Sequence, residues 1–247
     1  MKKLNNLFDD YIIAARVMPA VTVVLPLLII LLYKGILKGG WTETSIEAIL
    51  AMVFILFSAN IARELGKTYE RKMFKKLGAL PTTIVMRFTD DAIDNITKVK
   101  VHEWFNREKG CSLPLSSQEE EGDNKSDIKY TNATQQLRIY ANEHRDELPR
   151  VYQELKKYHY WRNLYGCKIC GLIIYIVVCA REYIMIDAFN LKDLVFNPAP
   201  QYIVFIGMTI WGLLWCTFVT GKTVKRCAFD YAVTLVESVC RFETMAN

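Results

Sequence analysis

Three histidines, His102, His144 and His159, and one C-x-x-C pair, Cys167 and Cys170, are the residues whose types suit metal or redox chemistry. The histidines are too few and too scattered for a metal site. A structural zinc needs four ligands, and no second cysteine pair stands at finger spacing. Gly166, Cys167, Cys170 and Gly171 read instead as small residues that let helices pack closely. No phosphate-loop, metalloprotease, nucleophile-elbow or kinase signature occurs. The sequence therefore predicts no enzyme, no catalytic residue, no metal and no cofactor. Polar groups beside apolar runs are more suggestive. Ser58 and Asn60 sit near the end of one such run, where they are costly in lipid and tend to face a bundle interior or water. Arg63 follows three residues later and opens a ridge, Arg63, Lys67, Arg71 and Lys75, with Lys72 beside it. Ser58, Asn60 and Arg63 are the expected pore-lining set. If several copies surround an axis, the ridge lines a positively charged vestibule that attracts anions; anchoring at a membrane surface and ordinary solvated charge are the plainer alternative.

The elements that must position these residues follow from how charge is distributed. The 247 residues carry a formal charge of +5, and 23% of them are charged. The mean hydropathy is nevertheless +0.12. Apolar and charged residues are therefore segregated along the chain. Four stretches, 17–33, 46–62, 165–185 and 201–221, approach the roughly 20 apolar residues needed to span a bilayer. No signal-peptidase-like site closes the first, and a second follows it. Lys2, Lys3 and Arg16, the cluster from Arg63 to Lys76, Lys156, Lys157 and Arg162, and Lys222, Lys225 and Arg226 all fall on one side, against Lys34, Lys38 and Lys192 on the other. The excess marks the cytoplasmic face, with both termini on it. The expectation is an all-α integral membrane protein with four transmembrane helices and a small helical cytoplasmic region. Its parts are residues 1–62 with the first two spans, 63–164 in the cytoplasm, 165–221 with the last two spans, and a cytoplasmic tail, 222–247.

The second span shows no stop at the membrane face, because helical periodicity continues to Leu77 and ends at Gly78 and Pro81. One helix of about 32 residues, about 48 Å long, carries Arg71 and Lys75 beyond the headgroup layer. Residues 108–127 read as an exposed loop, and helix resumes near Tyr130. Pro26 leaves the Thr22 carbonyl without its helix donor, which predicts a kink and makes Pro26 a candidate gating hinge. Trp211 and Trp215 are assigned to packing between helices.

Three segments, AARVMPAVTVVLPLL (14–28), GALPTTIVMRFTDDAIDNITKVKVH (78–102) and YWRNLYGCKICGL (160–172), together resemble a family of four-span bacterial inner-membrane effectors of anti-phage defence, the Hailong type among them. The family pattern has a Gly-Gly-x-Pro-Thr-Thr turn, a Thr-Lys-x-x-x-His helix and an Arg-Asn-Leu-Tyr-Gly approach to the third span. Gly78, Pro81, Thr82, Thr83, Thr97, Lys98, His102, Arg162, Asn163, Leu164, Tyr165 and Gly166 match it, and Ala79 departs at the second Gly. The match covers about a quarter of the chain. The resemblance implies a pore-forming effector encoded beside a nucleotidyltransferase and gated by a nucleotide or single-stranded oligonucleotide. Lys67, Arg71, Lys72, Lys75, Arg87 and Arg162 are then the candidate ligand-binding residues. One four-helix protomer encloses too little space for a conduit, so a pore requires a symmetric homo-oligomer, expected to be a tetramer. A non-conducting membrane sensor or anchor for a soluble partner shares every compositional feature.

Overall fold

The computed structural model describes residues 10–38, 41–185 and 200–240, and among them there are helices and turns but no strand. Lys2, Lys3, Lys192 and most of the loop expected between the third and fourth apolar stretches lie outside the described residues. A helical turn, Asp10–Ile12, and a π-helical turn, Ile13–Val17, lead into α1 (Met18–Lys38). Then come α2 (Trp41–Leu77), α3 (Pro81–Ile84), α4 (Asn95–Lys109), α5 (Ser117–Gly122), α6 (Ser126–Glu143) and α7 (Pro149–Gly166). After α7 follow α8 (Lys168–Met185), α9 (Pro200–Phe218) and α10 (Gly221–Glu237).

One stretch, Asp10–Ile30, is by itself long and apolar enough to cross a membrane, with a mean hydropathy of 2.3. Two pairs pass the same test when each is counted as one span: α7 with α8, bent by 57°, and α9 with α10. By length and composition the described residues thus offer one to three spans where four were expected. The reason is local. Breaks at Cys167 and at Val219–Thr220 cut the helices at the ends of the apolar runs, and several side chains of the run 46–62 in α2 lie outside the described set.

The chain divides into two compact units, residues 1–69 with 159–223 and residues 70–158 with 224–247. In the first unit, Val23, Val24, Ala62, Leu164, Cys167, Trp215 and Val219 form one buried cluster, and Ile30, Val178 and Met208 another. Packing of α8 on α9 is reciprocal: a Cβ on Gly171 would lie 2.5 Å from the Trp215 ring, and one on Gly212 would lie 2.5 Å from the Tyr175 ring. Each helix offers a gap to the other's aromatic, which is how small residues bring helices close where lipid supplies no hydrophobic drive. Met52, Phe57, Ile173, Ile176, Leu213 and Phe218 are exposed. Apolar surface on that scale marks a membrane or protein contact rather than a water-facing surface.

In the second unit the core is built from Val85, Met86, Ile93, Val101, Phe105, Tyr130, Ala133 and Leu137, together with Val151, Tyr158, Leu235 and Val236. The helix α10 buries Val224, Cys227, Ala228, Tyr231, Ala232, Leu235 and Val236 along one stripe, so most of the expected tail is a packed helix. The expected exposed loop holds a short helix, α5. Ser116 caps it by accepting from the Glu119 amide at 3.3 Å, while Glu119 accepts from the Leu115 amide at 2.8 Å. The Ser-x-x-Glu spacing is that of a capping box, with the Glu119 carboxylate meeting the amide one residue before the N-cap.

Candidate functional site

The last turns of α7 are tied to several segments of the first unit. Asn163 is buried, and its Nδ2 donates to the Ala15 carbonyl at 2.6 Å, inside the π-helical turn. Such wide turns inside helices concentrate at functional sites. Upstream, Tyr11 and His159 share a 2.6 Å hydrogen bond through the His159 Nδ1. The Thr22 and Tyr160 hydroxyls lie 3.3 Å apart. Tyr165 stacks obliquely on Tyr69, with ring centroids 4.3 Å apart, and the Tyr69 hydroxyl donates to the Gly221 carbonyl at 3.3 Å. Gly166 meets Gly66 backbone to backbone: a Cβ on Gly166 would collide with the Gly66 amide and lie 2.8 Å from the Leu65 carbonyl carbon. Each residue of the Asn163-Leu164-Tyr165-Gly166 run therefore has a contact of its own: Asn163 binds the π-turn, Leu164 enters the core, Tyr165 stacks and Gly166 admits α2.

The charges of three arginines bear on His159 in this region. Arg162 is only 7% exposed, and its Nε donates to Asn163 Oδ1 at 3.2 Å. The Arg162 carbonyl lies 3.0 Å from where a Gly66 Cβ would stand, so α2 passes closely over the end of α7. Arg16 adjoins Ala15, the partner of Asn163. His159 senses all three. Burial first, then the charges of Arg162, Arg16 and Arg63, hold its imidazole neutral, with the pKa pushed down to about 3. Tyr11 and His159 are thus joined in a setting where three arginine charges act on the imidazole. Among the described residues no group of His, Cys, Asp or Glu is placed to hold a metal ion.

Of the expected pore-lining residues, Ser58 is half-buried, Asn60 is exposed and Arg63 is half-buried. Along the ridge Lys67 is half-buried and pairs with Glu64 at 3.0 Å, while Arg71, Lys72 and Lys75 are exposed. The α2 helix reaches Leu77 without interruption and ends at Gly78, whose φ of +79° is the left-handed value a helix stop favours. Pro26 lies inside α1, which runs unbroken from Met18 to Lys38, and the irregular turn of this helix sits upstream at Ile13–Val17.

The remaining motif residues lie in the second unit and pin its loops. Arg87 engages Asp127 through both prongs, Nε to Oδ1 at 2.8 Å and Nη2 to Oδ2 at 2.7 Å. A carboxylate thus already occupies the fork expected to meet a ligand. Lys98 is wholly buried, and its ammonium donates to the carbonyls of Arg87, at 2.8 Å, and Asp90. One turn on, His102 is also buried, and its Nδ1 donates to the Pro114 carbonyl at 2.6 Å. Lys98 and His102 therefore share a helix face because each closes a loop against α4. Thr83 bonds Thr131 at 2.9 Å, and Thr134 donates to Thr82 at 3.4 Å, which ties the Pro81-Thr82-Thr83 turn to α6. Two of these arginines, Arg63 and Arg162, were singled out from sequence. Arg16 was counted only as a membrane-side charge, and His159 and Tyr11 carried no signal beyond their types. Searches with protein-family models, among curated proteins and among solved structures return no match for this chain.

Proposed function

We propose that the protein is a four-span membrane protein of the bacterial inner membrane, with both termini cytoplasmic, that assembles as a homotetramer and conducts ions. In this reading it serves as an anti-phage effector of the Hailong type. A nucleotide or oligonucleotide made by a partner nucleotidyltransferase, or a cytosolic partner itself, opens or closes it, and opening depolarises the membrane. The observation that carries the reading is Asn60. Its amide is exposed on α2 among exposed Met52, Val53, Leu56, Phe57 and Ile61. An amide on a lipid-facing surface forfeits hydrogen bonds at a cost of several kcal/mol, on the order of 2–7. A second copy or a water-filled axis removes that cost. The charges of Arg16, Arg63 and Arg162 and the ridge supply the positive field an anionic regulator needs. A non-conducting anchor is the second reading. It is favoured by Ile128 and Ile139, exposed on α6 eleven residues apart and so on one helix face, a surface suited to a soluble partner.

Planar-bilayer recording of the purified protein distinguishes the two. A pore gives single-channel currents that Asn60→Leu and Ser58→Leu reduce or abolish. Intact oligomers that remain silent under nucleotide, oligonucleotide and partner addition would sink the pore and leave the anchor.

A further inference from the structure

We infer that the outer face of α6 docks on α6 of a second copy of this chain, antiparallel and across a two-fold axis. This goes beyond the proposed function and holds whether or not the protein conducts. The face is the one that the anchor reading offers to a soluble partner.

Four observations converge. First, α6 buries Tyr130, Ala133, Thr134, Leu137 and Ala141 on its inner face. On the outer face Ile128, Asn132, Gln135, Ile139 and Asn142 are all exposed and, at about 100° per residue, fall within an arc of about 80°. A helix face turned to water ordinarily carries charge, whereas these five are isoleucines and amides. Single exposed isoleucines need no explanation. Two of them at 60% and 54% exposure, joined by an uncharged row, do. Second, the row reads alike in both directions: Ile, three residues, an amide, two residues, an amide, three residues, Ile. A two-fold contact requires that where one residue meets another, the second also meets the first. Turning a second copy about a point between Ala133 and Thr134 sets Ile128 against the partner's Ile139 and Asn132 against the partner's Gln135, and each match occurs twice. Amide side chains carry both donors and an acceptor, so Asn and Gln satisfy each other. Third, exposed Lys125 precedes the helix and exposed Glu143 closes it. Antiparallel pairing brings these opposite charges together at both ends, whereas parallel pairing sets like against like. Fourth, a groove of about 380 Å³ opens beside Ile128, lined also by Phe74, Leu80, Thr131 and Asn132. It lies at the N-terminal end of α6, where the antiparallel arrangement delivers the partner's Ile139.

Disulfide cross-linking of the full chain in its membrane tests the pairing. Ile128 and Ile139 stand about 16 Å apart along one helix, too far for a disulfide within one copy. Ile128→Cys/Ile139→Cys is therefore expected to give covalent dimers on oxidation. Either single variant, and the parent chain with its native cysteines, set the background. Adding Asn132→Glu and Gln135→Glu to the cysteine pair sets carboxylates face to face at the axis and should cut the yield about tenfold. Lys125→Glu in the same background should lower it as well, and adding Glu143→Lys should restore it, a rescue that damage to the fold would not show. All these positions are exposed, and unchanged thermal unfolding confirms that the fold is kept. A double-cysteine yield at background overturns the pairing and leaves the face to a soluble partner. Equal dimer yields from each single variant, the result that parallel pairing gives, overturn it too. Cross-links without currents defeat only the pore, and currents without cross-links defeat only this pairing.

Discussion

Gly66 and Gly166 lie backbone against backbone, so close that a methyl group on Gly166 would collide with the Gly66 amide. That contact fixes α2 against the end of α7. Gly166→Ala is expected to destabilise the protein by about 1–3 kcal/mol, as overpacking a tight contact does. Gly207 lies in the interior of α9 with open space around its Cβ position. Gly207→Ala is expected to raise stability by about 0.5–1 kcal/mol through helix propensity. Thermal unfolding of both variants in one detergent checks the pair; equal effects would remove the significance of the glycine crossing.

The Asn163 bond to the Ala15 carbonyl holds a π-helical turn in place. Asn163→Ala is expected to cost about 1–3 kcal/mol, because the partner carbonyl stays buried without its donor. Protease access near residues 10–17 should rise in the same variant. A stable protein with unchanged proteolysis would show that the turn does not need this bond.

Arg87 and Asp127 form a bidentate pair with both partners part-exposed, at 28% and 50%. Solvent screening keeps its worth to about 1 kcal/mol or less. Arg87→Lys should forfeit most of it, since a point charge cannot copy the fork. Double-mutant analysis with Asp127→Asn reads the coupling directly, and high salt should shrink it.

Acid sensitivity follows from two histidines. Burial, aided by Arg162, Arg16 and Arg63, lowers the His159 pKa to about 3, and burial lowers that of His102 as well. The unfolded chain protonates near the ordinary 6.5 and so binds more protons than the native state below that value. Stability is therefore full above about pH 6.5 and is lost as pH falls from there toward about 3, the His159 contribution levelling off below. At still lower pH the cap of α4 weakens, since Asp94 accepts from Thr97 and its carboxyl lies below the usual range. Unfolding temperatures should hold between pH 8 and about pH 6.5 and fall from there to pH 4, with a shallower slope in His159→Gln.

Much of the architecture was legible because its causes are local. Apolar runs, the stop at Gly78, the proline turn at Pro81 and the shared face of Lys98 and His102 depend on neighbours within one or two helical turns. The helix α5 was missed: residues 108–127 read as an exposed loop because of the acidic run, although Ser116 and Glu119 supply a local cap. The breaks at Cys167 and at Val219–Thr220 were not legible, because nothing nearby forbids a helix there.

By itself the sequence determined that the chain is helical, that its charge and apolar surface are segregated, and that Asn60 and Arg63 stand at the end of an apolar run. Only the tertiary structure decided that Arg87 meets Asp127, that Lys98 and His102 close loops, and that the charges of Arg162, Arg16 and Arg63 bear on a buried His159. The physical reason is one of range. Helix periodicity fixes which side chains share a face, whereas which faces meet is set by contacts such as Gly66 with Gly166 and Asn163 with Ala15, between residues about 100 or more positions apart.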